Sequence, residues 1–171
     1  PILQIHLPSR FKQFLRMISR RNIRVKVMQT LYTLTAGEKE ISSQASLKIL
    51  QEHFDQTRSL LIYLTWFLTE IIRYAEKDAY QKAGKHLPSA SDLNVNTKIA
   101  GNEIVWKMLE DAALKEQFAT ERPERFADTE RIRKIYLTLT DTPEYRSYIA
   151  EPARDRAGEK KIVEFILNDL L

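Results

Sequence analysis

The chain has no cysteine and only four glycines among its 171 residues. Without cysteine it can form no disulfide framework, no thiolate metal site and no thiol nucleophile. The glycines are scattered, so the chain also lacks the glycine-rich phosphate loop of many nucleotide-binding enzymes. These absences exclude several enzyme classes and suit a protein of the reducing cytoplasm.

The sequence also shows no arrangement of histidines or carboxylates that is typical of a catalytic or metal-binding site. The histidines His6, His53 and His86 are scattered, and none has a carboxylate three residues before it, as helical di-metal sites require. The carboxylates lie in mixed charged runs such as ATERPERFADTER, which are typical of solvated surface rather than of a tuned acid or base. We therefore expect no enzyme activity, no cofactor and no metal site.

Acidic residues are absent from the N-terminal segment. Residues 1–34 contain seven lysine or arginine residues and no aspartate or glutamate, whereas the whole chain has a net charge of only +4. The excess basic charge therefore belongs to this segment. Such a distribution is typical of a surface that binds a polyanion; a basic arm without a ligand is the alternative.

The length and the hydrophobic fraction of 43% are those of one ordinary globular domain without a membrane span. We expect residues 1–16 to form an N-terminal extension or arm, to which no function is assigned, and residues 17–171 to form the domain. Apolar residues recur every three or four positions, so the domain is predicted to be all-α.

The first helix is predicted to begin after Ser19, a preferred N-cap residue, and to end at Gly37. Its buried face is predicted from four apolar residues at helical spacing. These residues are Ile23, Val27, Leu31 and Leu34. At about 100° per residue, the neighbouring arginines lie beside this stripe and not within it.

A long second helical segment is predicted from Glu38 to Ala83, where the chain has no glycine or proline. Its middle, LLIYLTWFLTEII, is apolar on nearly every side, so other helices must surround it. Trp66 and Trp106 are expected to be core residues. After a loop over 86–102, further helices are predicted at 102–118, at 129–139, after Pro143 and at 159–171.

The segment RRNIRVKVMQTLYTL, residues 20–34, resembles the first helix of NusB, the bacterial transcription antitermination factor. The family pattern is R-R-x-A-R-x-x-A-x-Q-x-L-Y. Matching positions in register are Arg20, Arg21, Arg24, Gln29, Leu31 and Tyr32. Ile23 and Val27 replace the small residues of the pattern, which implies different helix contacts there. The segments DLNVNTKIAGN and RIRKIYLTLTDTPEYRSYI are similar to longer NusB variants of Bacteroidetes, which insert helices between the family's two halves.

This resemblance implies a non-enzymatic helical bundle of the NusB type. Such a protein binds boxA, a single-stranded element of nascent RNA, together with the small-subunit ribosomal protein NusE. The pair joins other Nus factors on RNA polymerase, mainly for ribosomal RNA transcription. By position, Arg20, Arg21 and Arg24 would contact phosphates. Gln29 and Tyr32 would contact unpaired bases, and helix packing is the alternative role for these two.

The chain departs from the family at its C-terminal side. The C-terminal helical half, which carries much of the surface for the ribosomal protein, is expected to be absent, because the chain ends within the apolar stretch EKKIVEFILNDLL. An apolar face left open there would favour a homodimer. Two other functions stay open: an accessory RNA-binding module, such as precedes the catalytic domain of some ribosomal RNA methyltransferases, and a helical protein-interaction scaffold with an incidental basic arm.

Overall fold

The computed structural model describes residues 19–36 and 42–171. All regular elements in these two ranges are helical, so the prediction of an all-α fold is confirmed. The predicted arm, residues 1–16, and the predicted helix end at Gly37 lie outside the described residues. Within the same two ranges, none of the helices combines the length and the hydrophobicity needed to cross a bilayer.

Two helices open the described part of the chain, α1 over Arg20–Ala36 and α2 over Ser43–Ala83. Shorter helices follow, and they are α3 (Ala90–Leu93), α4 (Glu103–Glu110), α5 (Ala112–Glu121), α6 (Thr129–Asp141), α7 (Pro143–Ala150) and α8 (Arg156–Phe165). Single turns of 3-10 helix cover Lys98–Gly101 and Pro123–Phe126, and a π-helical turn covers Ile166–Leu170. The chain divides into two compact units, Pro1–Leu61 and Ile62–Leu171.

In the first unit, a partly buried hydrogen bond joins α1 to α2. Thr30, which is only 4% exposed, has its Oγ1 atom 3.0 Å from Nδ1 of His53 on α2. The same hydroxyl donates to the backbone carbonyl of Lys26 at 2.9 Å. The Thr30 hydroxyl thus contacts both its own helix and His53 of α2. This bond fixes which side of α1 contacts α2.

The predicted buried stripe of α1 is therefore partly wrong. Ile23, Val27 and Leu34 are half-buried, as their place beside Thr30 requires, but Leu31 is 50% exposed. Thr30 and Leu31 are about 100° apart around the helix. A contact face that contains Thr30 leaves Leu31 at its edge, where the side chain is exposed. The N-cap prediction is confirmed, because Oγ of Ser19 accepts the backbone N–H of Asn22 at 3.2 Å.

In the second unit, the later part of α2 is enclosed by the shorter helices. Phe67, Leu68, Ile71 and Ile72 are at most 3% exposed, as the apolar run of α2 predicts. Residues of α4, α6, α7 and α8 complete the same core, among them Val105, Tyr136, Tyr145 and Ile162. Within the second unit, the buried run of α2 begins at Ile62, directly after Leu60 and Leu61, which are 56% and 43% exposed.

Two predictions about the region after α2 are wrong in detail. The helix predicted at 102–118 is interrupted at Asp111, where the backbone is extended and the carboxylate accepts the N–H of Leu114 at 2.8 Å as the N-cap of α5. Trp106 is about half exposed, because its indole N–H donates to the carbonyl of Ala100 at 3.0 Å and keeps the ring at the edge of the core. Only Trp66 packs against the core in the expected way.

Three buried tyrosines predict how the fold responds to alkaline pH. Burial is the main cause that raises the pKa of Tyr136, Tyr145 and Tyr148 above the ordinary value of 10.0. A raised pKa in the folded state stabilises the fold below pH 10, and this contribution is lost as the pH rises toward the folded pKa. We therefore expect these three side chains to ionise only as the helices unfold. Tyrosinate absorbance and circular dichroism, followed together, measure this; ionisation of all seven tyrosines at full helicity would contradict it.

Candidate nucleic-acid interface

The N-terminal half of α1 carries a cluster of exposed arginines. Arg20, Arg21 and Arg24 are all exposed, and no carboxylate of the described residues lies within ion-pair distance of them. The helix contains no acidic residue in its first turn. The arginines also add to the positive end of the helix dipole, which favours bound anions. The result is a concentrated positive charge on one helix end.

Four basic side chains of the second unit are paired with acidic residues. Arg73, Lys107, Arg133 and Lys160 each lie within ion-pair distance of a glutamate one turn away on the same helix. Such pairs are ordinary features of solvated helices and carry no signal for a ligand. The arginines of α1 lack this compensation, and they lie within five positions of one helix whose sequence contains no acidic residue.

Apolar and aromatic side chains continue the exposed surface toward the C-terminal end of α1. They are Val25, Met28, Leu31 and Tyr32. Tyr32 is 75% exposed, so nearly the whole ring is available for stacking. We call the surface formed by these four residues and the three arginines the outer face of α1.

The residues predicted from the sequence occupy two sides of α1. Arg21 and Tyr32 are eleven positions apart, so they point to the same side, about 16 Å apart along the axis. Arg20 and Arg24 lie one turn apart on the adjoining side. Gln29 is exposed but lies about 140° around the helix from Arg24. The structure thus brings the arginines and Tyr32 together on the outer face and places Gln29 at its border.

Gln29 lines a groove between α1 and α2 that the sequence did not predict. The groove has a volume of about 200 Å³. It is lined by Asn22, Val25, Lys26, Gln29, Phe54 and Thr57. Asn22, Lys26 and Gln29 recur at helical spacing in the sequence, which is the one signal that could have grouped them. The contribution of α2 appears only in the fold.

The second unit contains a cleft of mixed charge. A second cleft of about 270 Å³ lies between α2 and α6, and Glu70, Arg73, Glu76 and Lys77 give it charges of both signs. Within residues 19–36 and 42–171, no three histidine, aspartate or glutamate side chains are placed to hold a metal ion. The outer face of α1 and its groove are therefore the candidate functional site.

Comparisons with protein-family models, with curated proteins and with solved structures found no match. The resemblance of residues 20–34 to NusB therefore stays a prediction. The function has to be inferred from the side chains that α1 exposes.

Proposed function

We propose that this chain binds single-stranded RNA through the outer face of α1. The observation that carries the proposal is the exposed cluster of Arg20, Arg21 and Arg24, without carboxylate partners in the described chain, on the same helix as an exposed Tyr32. Arginines supply affinity for phosphates, and an exposed tyrosine stacks on unpaired bases. RNA offers both groups at once, whereas a simple anion would use only the charge.

The arginines at the start of α1 support a role in binding. Basic side chains in the first turn oppose the helix dipole, at a cost of roughly 0.3–1 kcal/mol each. Arg20 and Arg21 occupy the first two positions of the helix, and Arg24 lies one turn further on. An arm without a ligand would gain stability from acidic residues here. Basic side chains that destabilise the start of a helix are expected where they are needed to bind a ligand.

The finer part of the proposal comes from the resemblance to NusB. We propose that the RNA is a boxA-type element and that the chain acts in the cytoplasm as a transcription antitermination factor. Its partners would be the small-subunit ribosomal protein NusE and other Nus factors with RNA polymerase. Arg20, Arg21 and Arg24 would contact phosphates, and Tyr32 and Gln29 would contact bases.

One observation favours a second candidate, a helical protein-interaction scaffold. Val25, Met28 and Leu31 expose apolar surface beside the arginines, and apolar contacts are typical of protein interfaces. Binding of that kind would depend weakly on salt. An accessory RNA-binding module without an antitermination role would share the RNA affinity but not the preference for boxA.

Fluorescence anisotropy of labelled RNA tests the proposal. A short boxA-type RNA and a scrambled RNA of equal length are titrated with the chain at several salt concentrations. We expect preferential binding of boxA and a log-log salt slope of about −0.7 for each phosphate contact. Equal, salt-sensitive binding of both RNAs would favour the accessory module, and absence of binding would favour the protein scaffold.

The variant Arg24→Glu is expected to weaken RNA binding about tenfold at 0.1 M salt, because one phosphate contact is replaced by repulsion. The salt slope should become shallower by about 0.7. Arg24 is exposed, so circular dichroism should remain unchanged. Arg146→Glu is the matched control, since Arg146 is an exposed helical arginine of the second unit. Equal loss in both variants would mean that net charge alone governs binding.

A further inference from the structure

We infer that the groove between α1 and α2 is a binding site for one unpaired base of the RNA held by the outer face. This inference rests on the proposed RNA-binding function and adds a second contact surface to it. The groove belongs to the first unit, and its described lining residues lie on α1 and α2. Asn22, Lys26, Phe54 and Thr57 are assigned a role here that the sequence pattern does not assign.

The size and the walls of the groove suit a planar ring. Its volume of about 200 Å³ exceeds the roughly 150 Å³ of a cavity that takes up a benzene ring. On α1, Asn22, Lys26 and Gln29 lie on successive turns along one wall, and on α2, Phe54 and Thr57 are one turn apart on the other. Phe54 is only 3% exposed, so it provides an apolar base to the groove.

The polar groups of the groove are those that recognise the edge of a base. The side-chain amides of Asn22 and Gln29 have no hydrogen-bond partner among the described residues, and a primary amide can both donate and accept. The hydroxyl of Thr57 donates to the carbonyl of His53 at 2.8 Å, so its free lone pairs can only accept. Unpaired bases are recognised by this combination of an apolar surface and hydrogen bonds to their edges.

Charge and position favour a base of RNA over other occupants. Among the described residues no acidic side chain lines the groove, and Lys26, which has no carboxylate partner among them either, gives it positive charge. Val25 belongs both to the groove and to the outer face, so the two surfaces are continuous. A strand whose phosphates follow the arginines can therefore place one base into the groove without leaving α1.

The groove is held open by a contact outside it. The bond between Thr30 and His53 joins the two helices at 3.0 Å, one turn beyond Lys26 on α1 and one residue before Phe54 on α2. It sets the spacing of the walls before any ligand binds. A preformed site of this kind loses little conformational freedom on binding.

The test compares RNA with and without bases at constant charge. The probes are a labelled uridine decamer, an adenosine decamer and a decamer of abasic ribose phosphates. Homopolymers avoid the question of binding register, because every register presents the same base. Thr57→Met narrows the groove, and Thr120→Met is the matched control. Thr120 is exposed on α5, and its hydroxyl donates to the carbonyl four residues earlier, as that of Thr57 does.

For the unaltered chain, we expect at least one of the base-containing decamers to bind on the order of tenfold more tightly than the abasic decamer. Thr57→Met should reduce this ratio at least threefold and leave binding of the abasic decamer unchanged, while Thr120→Met should change neither. If Thr57→Met keeps the same ratio of affinities for base-containing and abasic decamers, and binding still depends on salt, the base site is overturned and the proposed function stands. Absence of binding to all three decamers would overturn the proposed function itself.

Discussion

Replacing Arg20, Arg21 and Arg24 together with glutamate is expected to abolish RNA binding while raising the stability of α1. Three phosphate contacts contribute a salt slope of about −2, which at 0.1 M salt corresponds to on the order of 100-fold in affinity relative to 1 M. The added negative charges reduce binding further. In the same variant, the acidic groups at positions 20 and 21 face the positive end of the helix dipole, which stabilises the helix by about 0.3–1 kcal/mol for each of these two groups.

The prediction is that RNA affinity falls while the stability of α1 rises, so the two effects can be told apart. RNA affinity is measured by anisotropy, and thermal unfolding is followed by circular dichroism at low salt. A triple variant of Arg125, Arg131 and Arg146 to glutamate, all exposed and all in the second unit, carries the same change in net charge. If the α1 variant loses binding and stability together, the arginines contribute to the fold, and their loss says nothing about an RNA surface.

Features set by neighbouring residues could be predicted from the sequence. The start of α1 depends on Ser19, whose hydroxyl accepts the N–H of Asn22, and the start of α7 depends on Pro143 at its first position. The apolar run of α2 predicts burial because a helix that is apolar on every side has to be covered. Exposure of the arginines also followed from their place beside the apolar stripe of α1.

Features set by residues distant in the chain could not be predicted. The spacing of Leu31 predicts burial, but the hydrogen bond between Thr30 and His53 places Thr30, and not Leu31, toward α2. The groove exists only because Phe54 and Thr57 of α2 face α1. A single sequence shows which residues share a helix face, but not which two faces meet.

Glu159 is a charged residue that lies in the core of the second unit. It is 1% exposed. Its carboxylate accepts the hydroxyl of Tyr148 and the N–H of Glu103, each at 3.0 Å. Its backbone carbonyl accepts the side-chain amide of Asn102, also at 3.0 Å, while Asn102 caps α4. One side chain thus connects α4, α7 and α8.

Lys98 reinforces the same region by a different route. Its ammonium group donates to the carbonyls of Tyr148, Glu151 and Ala153 at 2.6–3.2 Å. These carbonyls lie at and beyond the end of α7, where helix carbonyls lack partners within the helix. The contacts span about 50 residues of the chain, which is why periodicity alone cannot show them.

Glu159→Ala is therefore expected to destabilise the second unit by about 3–5 kcal/mol, because it removes the acceptor of the buried Tyr148 hydroxyl and of the part-buried Glu103 N–H together with the ion pair to Arg154. Glu159→Gln keeps the shape and one acceptor oxygen, so its cost should be about 1–2 kcal/mol. Glu164→Ala, on the same helix but in an exposed ion pair with Lys160, should cost less than about 1 kcal/mol. Chemical denaturation measures all three. Equal losses for Glu159→Ala and Glu164→Ala would mean that the buried hydrogen bonds of Glu159 do not stabilise the contacts among α4, α7 and α8.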